Sequence, residues 1–294
     1  MTFMEQFASV SNRWQLARYD FPAESPKGKI VLLHGLGSCI DSMSVYCKYF
    51  NRMGYSVYGF DLLGHGASDG KRGHVGRRKY LYRDLTAFIA SVKACEDTSL
   101  PIFLYGSSLG GNIALSYRQF CKDDNVDAVI VCNPWLELLY TLDAVILKIL
   151  PFLNFFLPRS TLKHGLNASQ FYGTHVRTYR NGLNHSRISI RTFHETMRAA
   201  EKLFESKGKV MLPGLVMVSA GDAICNIKAA KRLANDSKSA LSYVEFPDIV
   251  AHEIIEENRV QQVVLEADAY LMQQFPLSVK ELQQESVPDA AVEA

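Results

Sequence analysis

Short runs of consecutive apolar residues recur through the first half of the chain: Ile30-Val31-Leu32-Leu33, Tyr55–Phe60, residues 101–105 and residues 128–131. Runs of this length without polar alternation read as strands buried on both faces, the habit of a parallel sheet. Between them the period changes. Leu81, Leu85, Phe88, Ile89 and Val92 mark one face of a helix over about 79–95, and Ile113, Leu115, Tyr117 and Phe120 carry helical spacing after the third run. Ahead of the first run, residues 1–29 read as a leading segment with one or two short strands around 14–21 and a turn over 22–29. The rhythm breaks at Asn133-Pro134, and from there to about Pro213 no strand pattern appears. Residues 136–157 are rich in Leu, Ile and Phe but carry Glu137, Asp143, Lys148, Pro151 and Asn154. Those interruptions argue against a membrane span, and the stretch reads as two amphipathic helices meeting at Pro151. Strand pattern resumes over 215–220, followed by a helix over 226–233, a strand at Leu241–Phe246 and a last amphipathic helix over about 256–275.

Alternating strands and helices predict an α/β protein with a doubly wound, mostly parallel sheet. The division expected is a core formed by residues 1–133 and 211–276, with 134–210 inserted as a helical cap over the sheet's active edge. The alternative is that the inserted helices simply complete the core. The tail, 277–294, is acidic, Gln-rich and short of large apolar residues, and reads as mobile. At 294 residues and 48% hydrophobic content, the chain can bury a core of that size.

Composition narrows the function classes. A net charge of +2 gives no reason to expect a nucleic-acid partner. Six scattered cysteines without a C-x-x-C pair read as reduced thiols. The first 20 residues mix Glu5, Gln6, Asn12, Arg13 and Arg18 among apolar positions, unlike a signal peptide. The expected location is therefore cytoplasmic, peripheral to membranes at most. None of the histidines His164, His175, His185 and His194 has another at the i, i+4 spacing of a shared helix face, so no metal is assigned. No cofactor is expected.

Candidate chemistry centres on Gly106-Ser107-Ser108-Leu109-Gly110, between an apolar run and a helical stretch. The frame is G-x-S-x-G, a serine on a sharp strand-to-helix turn, and it selects Ser108 over Ser107 as nucleophile. A serine hydroxyl needs a base, and the base an orienting acid. Asp222 follows the 215–220 strand, and His252 lies in the loop after Leu241–Phe246, the chain order expected with such an elbow. Asp222 has a second reading as a helix N-cap, His252 as a satisfied buried histidine, and Asp248 is a rival acid. Backbone N–H groups of Leu109 and of the loop His34-Gly35-Leu36-Gly37, with Leu36 the choice by position, are the candidate oxyanion donors. His34 itself reads as shaping that loop. The apolar residues of 136–157, with Leu136, Leu139, Ile146 and Ile149 the candidates, either line an acyl pocket and touch a bilayer surface or pack on the core. The basic run Lys71, Arg72, Arg77, Arg78, Lys79 reads as a solvated loop and helix start, with attraction of anionic head groups as the alternative.

His34-Gly35-Leu36-Gly37, Asp61-x-x-Gly64-His65-Gly66-x-Ser68, Lys71-Arg72-Gly73-His74-Val75, the elbow, Ala220-Gly221-Asp222 and His252-Glu253 together resemble the monoacylglycerol lipase and lysophospholipase branch of the α/β-hydrolases, often labelled serine aminopeptidase-like. The resemblance covers about residues 30–253. It implies the α/β-hydrolase fold, Ser108, Asp222 and His252 as nucleophile, acid and base, and Leu36 and Leu109 as oxyanion donors. It departs at Ser107, where many members carry histidine, and in the cap, which matches no motif. The expectation is a serine hydrolase of carboxylic esters acting through an acyl-enzyme, with a lipid monoester (a monoacylglycerol or lysophospholipid) as small-molecule substrate and transient membrane-surface contact through the cap. A small-ester carboxylesterase, thioesterase or acyltransferase with the same triad is the alternative, and a hydrolase-fold binding scaffold the non-enzyme one.

Overall fold

A computed structural model describes residues 3–10, 14–95, 97–121, 125–140, 143–172, 182–206 and 213–276. Strands β3 (Gly28–Leu33), β4 (Tyr55–Phe60), β5 (Ile102–Ser107), β6 (Ala128–Cys132), β9 (Gly214–Ser219) and β10 (Leu241–Phe246) form a parallel array. At one edge β1 (Phe3–Ala8) and β2 (Gln15–Phe21) add as an antiparallel pair, giving the order β1-β2-β4-β3-β5-β6-β9-β10.

The uninterrupted apolar runs are explained by burial on both sides. Val31, Leu33, Ile102, Leu104, Val129, Val131, Val216 and Val218 face one layer of helices. Their neighbours Ile30, Leu32, Phe103, Tyr105, Ala128, Ile130, Leu215 and Met217 face the other. Each fully buried side chain of this size contributes about 1.5–3 kcal/mol. The first layer holds α2 (Arg78–Lys93), α3 (Leu109–Cys121), part of α6 (Ile190–Glu205) and α7 (Ile227–Asp236); the second holds α1 (Ser44–Arg52) and α8 (Glu257–Gln274).

Strand order also positions the site. From β3 the chain crosses to β4 on one side and then to β5 on the other, so order reverses between β3 and β5. In an open α/β sheet the crevice at such a reversal, beyond the carboxyl ends of the strands, is where ligands bind. The β3 end carries the His34–Gly37 loop, and the β5 end carries Ser108.

Between β6 and β9 lie α4 (Ala144–Phe156), β7 (Thr161–Lys163), α5 (Ala168–Tyr172), β8 (Arg187–Ser189) and α6. Two expectations are corrected here. The stretch around Pro151 is one helix, with proline inside it and Asp143 capping its start, not two helices meeting there. The region is not strand-free, because β7 and β8 pair antiparallel over three residues each, too short to show a period. In addition, the leading segment pairs β1 with β2. The inserted helices divide: Ala199, Ala200 and Leu203 of α6 are buried, the last two in the core layer, whereas α4 buries only Leu150. The tail expected to be mobile lies outside the described residues, as does His175.

Core and exposed apolar positions should therefore respond differently. Leu104→Ala is expected to cost about 2–5 kcal/mol, whereas Phe155→Ser, at a residue 77% exposed, should stay within about 0.5 kcal/mol. Urea denaturation midpoints check both.

Candidate active site

The elbow forms because backbones meet there. Ser108 sits at φ +52, a left-handed conformation that costs a non-glycine residue roughly 1–3 kcal/mol. The turn is fixed from both sides: Ser108 N–H donates to the Cys132 carbonyl at 3.0 Å, and the Ser108 carbonyl accepts from Trp135 N at 2.9 Å and Asn112 N at 3.1 Å. A Cβ on Gly110 would strike the Leu33 carbonyl, and one on Gly106 would strike the Gly110 carbonyl. Helix α3 thus starts in contact with β3.

His252 Nε2 lies 2.9 Å from Ser108 Oγ, and His252 Nδ1 lies 2.8 Å from Asp222 Oδ2. All three side chains are buried. The other Asp222 oxygen accepts from Ile224 N at 2.8 Å and Cys225 N at 3.0 Å, while the cap of α7 is Asn226. Burial alone would lower the His252 pKa. The Asp222 charge and hydrogen bond, with Glu253, outweigh it, and the net shift is upward. The arrangement lets imidazole accept the serine proton while carboxylate holds its far nitrogen.

Cys225 Sγ comes within 4.8 Å of ligand-type atoms of Asp222 and His252. Both imidazole nitrogens and both Asp222 oxygens are already hydrogen-bonded, and burial pushes the Cys225 thiol up, keeping it protonated. That set is spent on the serine network and does not fit a metal.

Two adjoining cavities lie here, and one of them reaches the triad. One, of about 360 Å³, reaches Ser108 and His252 and is walled chiefly by apolar side chains, including Trp135, Ile146, Leu150, Leu153, Ile188 and Phe193. The other, of about 470 Å³, holds Ser38, Ser42, Asn184, His185 and Glu253 and shares Leu36, His164, Leu166 and Phe171 with the first. Burial lowers the His164 pKa. Burial first, with Arg72 and His34 adding, pushes His185 down to about 4. Burial raises the Glu253 carboxyl. Among the described residues no Lys or Arg lines this second lobe.

A family profile described as Hydrolase_4, serine aminopeptidase S33, matches residues 24–259. The chain belongs to this family. A monoglyceride lipase of Saccharomyces cerevisiae is 26% identical over 73% of this chain and 74% of that one. Phospholipase YtpA of Bacillus subtilis is 23% identical over 86% and 98%. An uncharacterized abhydrolase domain-containing protein of Dictyostelium discoideum is 26% identical over 72% of this chain, which spans only 22% of that protein's length. A crystal structure of a Paleococcus ferrophilus monoacylglycerol lipase superposes with a TM-score of 0.77 at 25% identity, over 87% of this chain and 99% of that one. The fold is that of the α/β-hydrolases, and the family places the chain among serine ester hydrolases.

Of the positions expected in this hydrolase's site, the structure brings together Ser108, Asp222 and His252, with Leu36 beside them on the cavity wall and Leu109 next to the elbow. Among the apolar candidates only Ile146 lines the cavity. Leu136 is buried in the core layer, and Leu139 and Ile149 are 50% and 44% exposed. His34 is a loop-shaping residue. Its Nε2 accepts from Leu62 N at 2.9 Å, so Nδ1 carries the proton and donates to the Gly35 carbonyl at 2.8 Å. Asp61 likewise organises backbone, and its carboxylate accepts from Ile40 N, Ala67 N and the Tyr19 hydroxyl at 2.7, 2.8 and 3.0 Å.

Sequence reasoning missed Asn133. It sits at φ +46, donates from Nδ2 to the Ser219 hydroxyl at 2.9 Å and the His252 carbonyl at 2.8 Å, and accepts from Ser219 N at 2.7 Å. An asparagine directly after a strand, a residue that tolerates left-handed backbone, was the available signal. In NMR titration His252 is expected to titrate above the ordinary value of about 6.5, and Asp222→Asn should move it down. Gly110→Ala should destabilise the fold by about 1–3 kcal/mol, read from the denaturation midpoint.

Proposed function

We propose that the protein cleaves monoesters of long-chain fatty acids with an uncharged polar alcohol, monoacylglycerols foremost, through an acyl-enzyme on Ser108. The observation that carries this reading is a pair of unlike cavities that adjoin along Leu36, His164, Leu166 and Phe171, the apolar one reaching Ser108. An apolar lobe of about 360 Å³ suits an acyl chain, and the adjoining lobe of about 470 Å³ offers hydroxyl, amide and imidazole groups to an alcohol. With both lining histidines held neutral and no cation among the described lining residues, the polar lobe suits glycerol better than a phosphate-bearing head group. The names of two matched relatives, a monoglyceride lipase and a phospholipase, are consistent with a lipid ester.

In this reading Ser108 Oγ attacks the ester carbonyl as His252 Nε2 takes its proton. Asp222 holds the imidazole and stabilises its charge. The Leu36 and Leu109 N–H groups meet the oxyanion. Collapse breaks the acyl C–O bond, and the proton passes from His252 to the departing alcohol. Water, deprotonated by His252, then attacks the acyl-enzyme and releases the fatty acid and free Ser108. Residues 134–210 serve as the cap. Its α4 presents Val145, Phe152, Phe155 and Phe156, each 60–77% exposed, as a surface for transient contact with the lipid that supplies the substrate. No helix among the described residues is long and apolar enough to cross a membrane.

A fluorophosphonate probe should label the wild type and neither Ser108→Ala nor His252→Ala. Ester turnover should fall by at least about 10³-fold in both variants. The ratio kcat/KM should rise with acyl length and favour monoacylglycerol over lysophosphatidylcholine. A maximum at acetyl or butyryl esters would instead support a small-ester carboxylesterase. Because the imidazole must be neutral to act as base and its pKa is raised, kcat/KM should fall on acidification from a midpoint above about 6.5. Phe152→Ser with Phe155→Ser should weaken sedimentation with phosphatidylcholine vesicles and leave turnover of a soluble short-chain ester unchanged.

A further inference from the structure

Away from the cleft, between the start of α2 and the middle of α6, lies a third cavity of about 370 Å³ that shares no lining residue with the other two. Arg77, Arg78, Lys79, Arg198 and Lys202 line it, against one carboxylate, Glu195. That carboxylate is already engaged. Its Oε2 accepts the Arg78 backbone N–H at 3.2 Å, and its Oε1 lies 3.7 Å from Arg191 Nη1. Arg198 pairs with Glu201 at 2.7 Å. Among the described residues no carboxylate pairs with Arg77, Lys79 or Lys202. Two polar atoms of lining residues, Arg78 Nε and the Tyr82 hydroxyl oxygen, are shielded from solvent and have no hydrogen-bond partner.

Gathering cations around a concave surface costs self-repulsion. One kind of occupant relieves it: a compact group with several negative charges and several acceptor oxygens. We propose that this cavity binds a phosphoryl group carrying at least two negative charges, free in solution or as the head of an anionic lipid. A phosphoryl group suits the guanidinium forks of Arg77 and Arg78 and has oxygens left for Lys79 and Lys202; a single carboxylate has too few. The site also touches the elbow. Arg78 Nη2 donates to Asn112 Oδ1 at 2.6 Å, and Asn112 donates from its backbone to the Ser108 carbonyl at 3.1 Å and from Nδ2 to the Trp135 carbonyl at 2.8 Å. Trp135 in turn walls the apolar lobe. Binding here depends on this cavity alone and stands whether or not the ester reading does.

The test is calorimetric titration of the full chain with inorganic pyrophosphate in phosphate-free buffer, beside flotation with phosphatidylcholine vesicles with and without phosphatidic acid. Arg77 and Lys202 are exposed at the rim and make no contact with Asn112, so Arg77→Gln and Lys202→Gln keep the elbow intact; circular dichroism checks folding. Saturable one-to-one binding of pyrophosphate is expected, weakening steeply with salt and roughly tenfold in each variant. Lys228→Gln, on α7, should leave it unchanged. If only phosphatidic acid vesicles gain protein over neutral ones, and both variants lose that gain, the occupant is a lipid head group. Absence of both signals, or binding that survives both substitutions in folded protein, overturns the site.

Discussion

The approach of α3 to β3 is the constraint from which the rest follows. Gly110 packs against the Leu33 carbonyl so closely that no side chain fits between them, and Ser108 is held at φ +52 at the tip of that contact. A strained residue persists only where its surroundings over-determine it. Here they are three backbone hydrogen bonds from β6, from the segment after it and from α3 itself, set on strands buried on both faces. The position of Ser108 is thus a property of the whole sheet. Asp222 and His252 follow the ends of β9 and β10, which the same sheet aligns, and Asn133 at the end of β6 fastens the His252 carbonyl and the Ser219 backbone to one side chain.

What could be read from the sequence follows the same physics. Strands covered on both sides write their burial into largely apolar runs, so β3, β4, β5, β6 and β9 were legible, and with them the chain order of Ser108, Asp222 and His252 near strand ends. Helix α1 was not, because Tyr46, Cys47, Tyr49 and Phe50 are buried on it among polar neighbours and it follows a glycine-rich loop with no clear start signal. Three-residue strands such as β7 and β8 are shorter than any period. On α4 the difficulty is of another kind. The helix is apolar almost all round, so periodicity cannot say which stripe faces inward. Ile146, Leu150 and Leu153, at i, i+4 and i+7, turn to the cavity, while Ile149 turns out.

That all-round apolarity is intelligible once both faces have an environment. The inner stripe closes the apolar lobe. The outer one leaves Phe152, Phe155 and Phe156 exposed, an arrangement a purely aqueous helix would not favour. Hydrogen bonds to α6 tether the helix: Asn154 Nδ2 with His194 Nδ1 at 3.1 Å, and Arg191 Nη2 to the Asn154 carbonyl at 3.1 Å.

Helix α6 is tied to the core by further hydrogen bonds and by burial. Thr192 accepts from Val75 N at 3.0 Å and donates to the Gly73 carbonyl at 2.9 Å, and the Thr196 carbonyl accepts from Asn112 at 3.3 Å. Further along, Ala199, Ala200 and Leu203 are buried. The same sixteen residues therefore serve three surfaces. Ile190 and Phe193 wall the apolar lobe, Ala200 and Leu203 seal the sheet layer, and Arg198 and Lys202 face the cationic cavity. An amphipathic helix ordinarily has two faces to satisfy. This one has a third, and its cations lie at the opposite flank from the cleft, where among the described residues the polar lobe carries none.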